Sequence, residues 1–161
     1  MTTTTRFRPC LWFDDQAEQA ATFYGTVFPN SRITSVSHYG PDMPGPEGAV
    51  MYVEFELDGQ AISAINGGPQ FTFSEAISLE IMCADQDEVD HYWNGLIADG
   101  GEPGPCGWLK DQYGLSWQVV PAALSEMMAS DDEAAKQRAM RAVLAMSKLE
   151  VAAIQRAFDG T

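Results

Sequence analysis

The chain has few of the residues that covalent cross-links, metal clusters and nucleic-acid interfaces require. It has only three cysteines (Cys10, Cys83 and Cys106) and no Cys-x-x-Cys pair, which excludes a zinc ribbon or a thioredoxin-like motif. It has 9 basic residues against 23 acidic ones, for a net charge of −14. Phosphate backbones and anionic membrane surfaces attract clustered Lys and Arg, so we expect neither nucleic acid nor membrane as a partner.

Long apolar runs are also missing. No stretch approaches the ~18 consecutive apolar residues of a membrane-spanning helix, and residues 1–9 lack the apolar core of a signal peptide. We therefore expect a cytoplasmic protein with reduced cysteines. The 161 residues are 45% hydrophobic, which is enough for one domain or for two small fused halves.

What the chain does contain is one pattern that occurs twice: a strand, a helix, then two or three strands. In the first half, helical spacing follows Asp14-Asp15, which we expect to cap the helix. Asp58-Gly59 predicts a hairpin turn, and Asp85 predicts the cap of the second helix. The predicted strands are 7–13, 33–39, 51–57, 60–66 and 77–83, followed by the hairpin 106–121.

Neither half can bury both faces of its own sheet, so the halves are expected to pair. We predict an α+β fold in which two βαβββ modules, residues 1–70 and 71–122, form a curved, cup-shaped sheet. Residues 123–161 break the pattern and predict a helical C-terminal extension of two helices. This Met-rich tail must dock on its own domain or on a partner subunit, and we expect a homodimer.

The hairpin 106–121 holds two tryptophans, a cysteine, an aspartate and a glutamine within sixteen residues. Such a density of large and polar groups is typical of a ligand-cavity wall, although a hairpin in a core can carry the same aromatics.

Most of the chain resembles a known superfamily. The segments that carry the resemblance are 11–14, 23–31, 55–60, 66–69 and 85–90, together with the hairpin 106–121 and the tail 138–157. They resemble the vicinal-oxygen-chelate superfamily of glyoxalase and bleomycin-resistance proteins. Within it, the chain is most similar to the PhnB-like group, often labelled 3-demethylubiquinone-9 3-methyltransferase.

The resemblance implies metal ligands on the inward faces of matching strands. Those positions fall near Pro9, around 62–64, at Ser78 or Glu80, and at Gln118, and only Glu80 is a good ligand for a divalent ion. The two histidines, His38 and His91, lie elsewhere in the chain. We therefore expect no metal.

The methyltransferase label has no counterpart in the residues. A methyl-donor site of the usual kind needs a Gly-rich turn that follows a strand and opens a helix. The run Gly67-Gly68-Pro69 follows a hairpin strand and opens no clear helix. We therefore expect no cofactor.

Strand alternation then assigns the candidate site. If Gln118 points into the cup, Ser116 does too, and Trp117 packs under the helices. Glu80 is the candidate catalytic residue, as a general base or a hydrogen-bond donor. Alternatively, it pairs with Arg8 or Lys110, or lies at the wet rim. The candidate ligand-binding residues are Phe13, Asn66, Trp108, Ser116 and Gln118.

Two of these candidates have a second interpretation: Asn66 as a turn-former, and Trp108 as a contact to a partner chain. The leading function is small-molecule binding in the cup, with enzymatic activity on an unknown substrate left open. The alternatives are a metal-dependent lyase, isomerase or dioxygenase of the glyoxalase type, and a non-catalytic sequestering protein.

Overall fold

A computed structural model describes residues 6–161, and the chain divides into two compact units, Met1–Phe73 and Ser74–Thr161. Each unit contains one βαβββ module built on a four-stranded mixed sheet, which confirms the predicted α+β fold class. The expectation that the N-terminus forms no signal peptide rests partly on residues 1–5, which lie outside the described residues. None of the helices within residues 6–161 is long and apolar enough to cross a membrane.

The first sheet has the strand order β1-β4-β3-β2, with β1 parallel to β4 and the other pairs antiparallel. Asp58 and Gly59 both adopt positive φ, which matches the two-residue turn predicted between β3 and β4. Helix α1 covers one face of this sheet with small side chains and the fully buried Tyr24. The elements are β1 (Cys10–Phe13), α1 (Ala17–Val27), β2 (Arg32–His38), β3 (Val50–Leu57) and β4 (Gln60–Asn66).

The start of α1 is held differently from the prediction. Neither Asp14 nor Asp15 is the cap: the residue before the helix is Gln16, and its side chain makes no capping hydrogen bond. Instead, the backbone N–H of Ala17 donates to Oδ1 of Asn66, at 2.9 Å. A residue from the end of β4 thus satisfies a helix N–H that the local sequence leaves unpaired.

The second sheet repeats this layout in the order β5-β8-β7-β6, with β5 parallel to β8. Helix α2 packs on it, and the predicted cap is confirmed because Asp85 Oδ1 accepts from the N–H of Glu88, at 3.0 Å. The elements are β5 (Leu79–Cys83), α2 (Gln86–Ile97), a 3₁₀ turn (Ala98–Gly100), β6 (Glu102–Pro103), β7 (Trp108–Lys110) and β8 (Ser116–Pro121).

The C-terminal extension forms three helices, not two: α3 (Ala122–Met128), α4 (Glu133–Leu144) and α5 (Val151–Asp159). It docks on its own unit. The loop between α4 and α5 accepts backbone hydrogen bonds from Cys106 and Gly107, and the N–H of Val151, the first residue of α5, donates to Gln86 Oε1 of α2, at 2.8 Å. The extension has its own apolar cluster of buried residues: Met127, Ala139, Val143, Leu149 and Ile154.

Each sheet therefore has one face under its own helix and one face opposite that helix, which we call the far face. On β8 the alternation is clear: Trp117 and Val119 are buried on the α2 side, whereas Gln118 and Val120 are partly exposed on the far face. The prediction that Trp117 belongs to the core is confirmed.

Candidate functional site

A cavity of about 490 Å³ lies in the second unit beside β6 and β7. We call it the β7 pocket. Most of its wall is apolar, with two carboxylates, one ammonium group and one hydroxyl. The lining residues are Glu75, Glu102, Pro103, Gly104, Pro105, Cys106, Trp108, Leu109, Lys110 and Ser116.

Ser116 supplies the hydroxyl. It pairs with Lys110 across the β7–β8 ladder, and only 1% of its surface is exposed. Its Oγ has no hydrogen-bond partner. A buried hydroxyl without a partner costs roughly 1–3 kcal/mol, and Ser116 is one of the residues that line the cavity.

The neighbouring residues on the far face continue this polar line. Gln118 pairs with Trp108 on one side and with Glu80 on the other, so the three lie side by side across three strands. The Gln118 Nε2 donates to Ser78 Oγ at 2.9 Å, which orients the carboxamide. Four of the sequence candidates, Glu80, Trp108, Ser116 and Gln118, are thus brought together on one sheet.

The ammonium group of the pocket is already paired. Lys110 Nζ lies 2.5 Å from Glu75 Oε1. This hydrogen bond lowers the pKa of Glu75 and raises that of Lys110, so both stay charged at neutral pH. Glu102, opposite Lys110 on β6, adds a second carboxylate to the lining.

The C-terminal extension holds one wall of the pocket in place. Cys106 and Gly107 both have positive φ, of 58° and 83°, and form a tight turn closed by the Trp108 N–H on the Pro105 carbonyl oxygen, at 3.0 Å. The N–H groups of these two turn residues donate to Met146 O, at 2.8 Å, and to Ser147 O, at 2.7 Å. Nothing in the local sequence around residues 146–147 indicates where they dock, so this role could not be predicted.

Two candidates from the first unit do not reach its far face. Phe13 is 3% exposed on the α1 side, edge to face with Phe73 at 5.2 Å, so the prediction that it points into the cup is wrong. Cys10 and Trp12, not Pro9 and Phe13, share the far face with Ser63 and Ile65, so the first-strand position expected near Pro9 is one residue out. This first-strand error came from a strand that is apolar on both faces.

Asn66 has a structural role. Besides accepting from Ala17, its Nδ2 donates to Asp15 O, at 3.1 Å, and to Val50 O, at 3.0 Å. These bonds join β3, β4 and the start of α1. The residue lines a larger cavity of about 660 Å³ in the first unit, but its amide is committed to the fold.

Glu80 is exposed, so the enclosed carboxylate of the general-base hypothesis is not found. The two ion pairs that were considered for it are formed by other residues. Arg8 pairs with Glu54, and Lys110 pairs with Glu75. Of the alternatives, the position of Glu80 is that of a solvated group beside Gln118.

The residues at the expected metal positions do not fit a divalent ion. Within residues 6–161, no group of three or more His, Cys, Asp or Glu side chains could hold one. On the far faces, Glu80 has Gln118 as its strand partner, and Cys10 has Ser63. A carboxylate with an amide in the second unit, and a thiol with a hydroxyl in the first, are each a poor donor set for the hard, oxygen-preferring cations.

Comparison with known proteins agrees with the fold. A PhnB protein from Bacillus cereus, described as a putative 3-demethylubiquinone-9 3-methyltransferase, is 34% identical over 73% of this chain and 99% of its own, with a TM-score of 0.65. The protein PA1353 from Pseudomonas aeruginosa is 19% identical over 73% of this chain and 98% of its own, with a TM-score of 0.60.

A third similar structure is the fosfomycin resistance protein FosX from Listeria monocytogenes, complexed with Mn(II) and sulfate. It is 19% identical over 73% of this chain and 92% of its own, with a TM-score of 0.51, and shows the fold alone. No curated protein gives a significant match. The sequence model described as 3-demethylubiquinone-9 3-methyltransferase matches residues 5–120, which leaves the C-terminal extension outside the match. The chain therefore belongs to this PhnB-like family of the vicinal-oxygen-chelate superfamily.

Proposed function

We propose that this protein binds a small organic molecule in the β7 pocket, with Trp108, Ser116 and the adjacent Gln118 as contact residues. The observation that carries the proposal is the Ser116 hydroxyl, which is buried without a partner in a residue that lines the cavity. The cavity volume of about 490 Å³ lies in the range of small-molecule sites, and an apolar wall with few polar groups is typical of them.

The first test is a fragment screen by thermal shift with the parent protein and the Ser116→Ala variant. The variant should fold, because removing an unpaired hydroxyl leaves only a small change in volume. Its affinity for the hits should fall by roughly five- to 150-fold, the equivalent of one lost hydrogen bond of about 1–3 kcal/mol.

Ser63→Ala is the matched control. Ser63 is also a strand serine, 2% exposed, but its hydroxyl donates to Pro9 O, at 3.3 Å, in the first unit. Its replacement should leave hit affinity unchanged. If Ser63→Ala and Ser116→Ala lower the affinity for the hits equally, or if neither variant lowers it, the β7 pocket is not the binding site.

Glu80 and Gln118 are proposed to act on the part of the ligand that extends along the far face. Glu80→Gln and Gln118→Ala should therefore have melting temperatures close to that of the parent without ligand, and a lower affinity for the ligand.

Incubation of each hit with the protein, followed by mass spectrometry, distinguishes an enzyme from a sequestering protein. An altered product that depends on Glu80 indicates catalysis, and an unchanged hit indicates sequestration.

We also propose a homodimer. The extension covers most of its own apolar surface, but Met140 and Leu144, one turn apart on α4, remain 38% and 63% exposed. Light scattering should give twice the chain mass, and Leu144→Lys should shift the equilibrium towards the monomer. A parent protein that is monomeric at tens of micromolar contradicts this proposal.

A further inference from the structure

We infer, building on the proposed function, that the β7 pocket selects a planar aromatic molecule that is cationic or uncharged and rejects anions. This inference concerns the class of ligand, and it rests on the shape of the wall, the charges of the lining and the hydroxyl of Ser116.

The wall is shaped for a flat ring. Trp108 presents an indole with part of its surface open, and stacking on such a ring favours a planar partner. Pro103 and Pro105 also line the pocket and restrict the φ angles of the backbone there. Gly104 lies between them, and its N–H donates to Trp108 O, at 2.8 Å. This hydrogen bond connects this part of the wall to β7.

The charges of the lining are unequal. Two carboxylates, Glu75 and Glu102, face a single ammonium group, Lys110. Since Lys110 already pairs with Glu75, an anion entering the pocket finds no uncommitted cation among the lining residues and meets the field of Glu102. A cation instead gains from Glu102 and from the face of Trp108. The net charge of −14 acts in the same direction at low salt.

The Ser116 hydroxyl is compatible with a cationic or uncharged ligand. A hydroxyl can donate one hydrogen bond and accept two, so it is satisfied by an amide, an amidinium or a ring N–H. It supplies orientation, and the carboxylates supply the discrimination by charge.

The test uses three bicyclic probes of nearly equal shape: 2-naphthamidine (a cation), 2-naphthamide (neutral) and 2-naphthoate (an anion). Affinities are measured by calorimetry at neutral pH and low salt. The amidine should bind most tightly and the amide next, with naphthoate about tenfold or more weaker than the amide. Naphthoate binding as tightly as the amide, or more tightly, overturns the inference.

Charge variants give the sharper comparison. Glu75→Gln releases Lys110 from its ion pair, so naphthoate should gain about fivefold or more in affinity. Glu102→Gln should narrow the preference for the amidine over the amide. Glu126→Gln, on α3 and outside the pocket lining, is the control and should change neither. If Glu75→Gln leaves naphthoate binding unchanged, the charge argument is wrong.

The result can be separated from the proposed function. If none of the three probes binds saturably, the inferred ligand class is wrong, while hits from the fragment screen that depend on Ser116 still support binding in the pocket. If hits bind and Ser116→Ala leaves their affinity unchanged, the assignment of the binding site to the β7 pocket is wrong, whatever the charge of the hits.

Discussion

The indole Nε1 of Trp117 donates a hydrogen bond to Oδ2 of Asp111, at 2.8 Å, with the two side chains 2% and 3% exposed. The other carboxylate oxygen of Asp111 accepts from the backbone N–H groups of Tyr113 and Leu115, at 2.9 and 3.1 Å. One buried carboxylate thus joins the β7–β8 turn to the core under α2. The strand that carries Ser116 and Gln118 is fixed by this bond.

Replacement of Trp117 should therefore lower the free energy of unfolding through two separable effects, the loss of a hydrogen bond and the creation of a cavity. Trp117→Phe keeps most of the apolar volume but removes the indole donor, and should lower the free energy of unfolding by about 1–3 kcal/mol. Trp117→Ala adds a cavity and should lower it by about 3–5 kcal/mol. Urea denaturation measures both, and a Trp117→Ala variant as stable as the parent contradicts the core assignment.

Gly107 and Gly114 form a natural matched pair, because both have a φ of 83°. A Cβ at Gly107 would lie 3.0 Å from Val119 O and 3.1 Å from Leu149 Cδ1, whereas a Cβ at Gly114 meets nothing within 4 Å. Gly114→Ala should cost about 1–2 kcal/mol for the left-handed backbone alone. Gly107→Ala should cost about 1–3 kcal/mol more, through crowding against the extension.

Thermal and urea unfolding of the two variants measure this difference. Gly107→Ala should also lower the affinity of the β7 pocket for its ligands, because the turn that it distorts is part of the wall. Gly114→Ala should leave this affinity unchanged. Equal losses of stability in the two variants would show that the docked extension does not restrict the turn.

The cysteines should differ in reactivity. Burial raises the pKa of the Cys83 thiol to about 12, and the charges of Glu88 and Asp85 act in the same direction. Since the thiolate is the nucleophile, iodoacetamide should label the exposed Cys10 in the native protein and leave Cys83 unmodified until the protein is denatured. Peptide mass spectrometry with and without urea checks this, and rapid native labelling of Cys83 contradicts it.

S-Adenosylmethionine should not bind in the usual nucleotide manner. The strand-to-helix junctions inside the two modules, residues 14–16 after β1 and 84–85 after β5, contain no glycine that would let a ligand approach the backbone. Calorimetry with the cofactor should show no saturable heat at micromolar concentrations. A micromolar dissociation constant would overturn this prediction and would give the family's label a direct chemical meaning for this chain.

The elements that could be predicted are those encoded over a few residues. The alternation of residues 51–57, the Asp58-Gly59 turn and the Asp85 cap all appear where the pattern indicated, because period-two burial and local hydrogen bonds depend on near neighbours. For the same reason, Trp117 could be assigned to the core from its polar flanking residues.

The face of the first strand could not be predicted. Leu11, Trp12 and Phe13 are all large and apolar, so alternation carries no information there, and only packing against α1 places Phe13 inside and Trp12 on the far face. The cap of α1 was equally hidden, because its acceptor, Asn66, lies 49 positions along the chain from Ala17.

The sequence by itself determined the repeated βαβββ order, the helical character of the tail and most of the polar candidates on the second sheet, since these depend on short-range periodicity and turn chemistry. Only the tertiary structure decided that Ser116 is buried without a partner, that Lys110 forms an ion pair with Glu75, and that residues 146–147 hold the wall of the pocket. Those three facts depend on contacts between backbone and charged groups that are distant in the sequence, and no local pattern encodes such contacts.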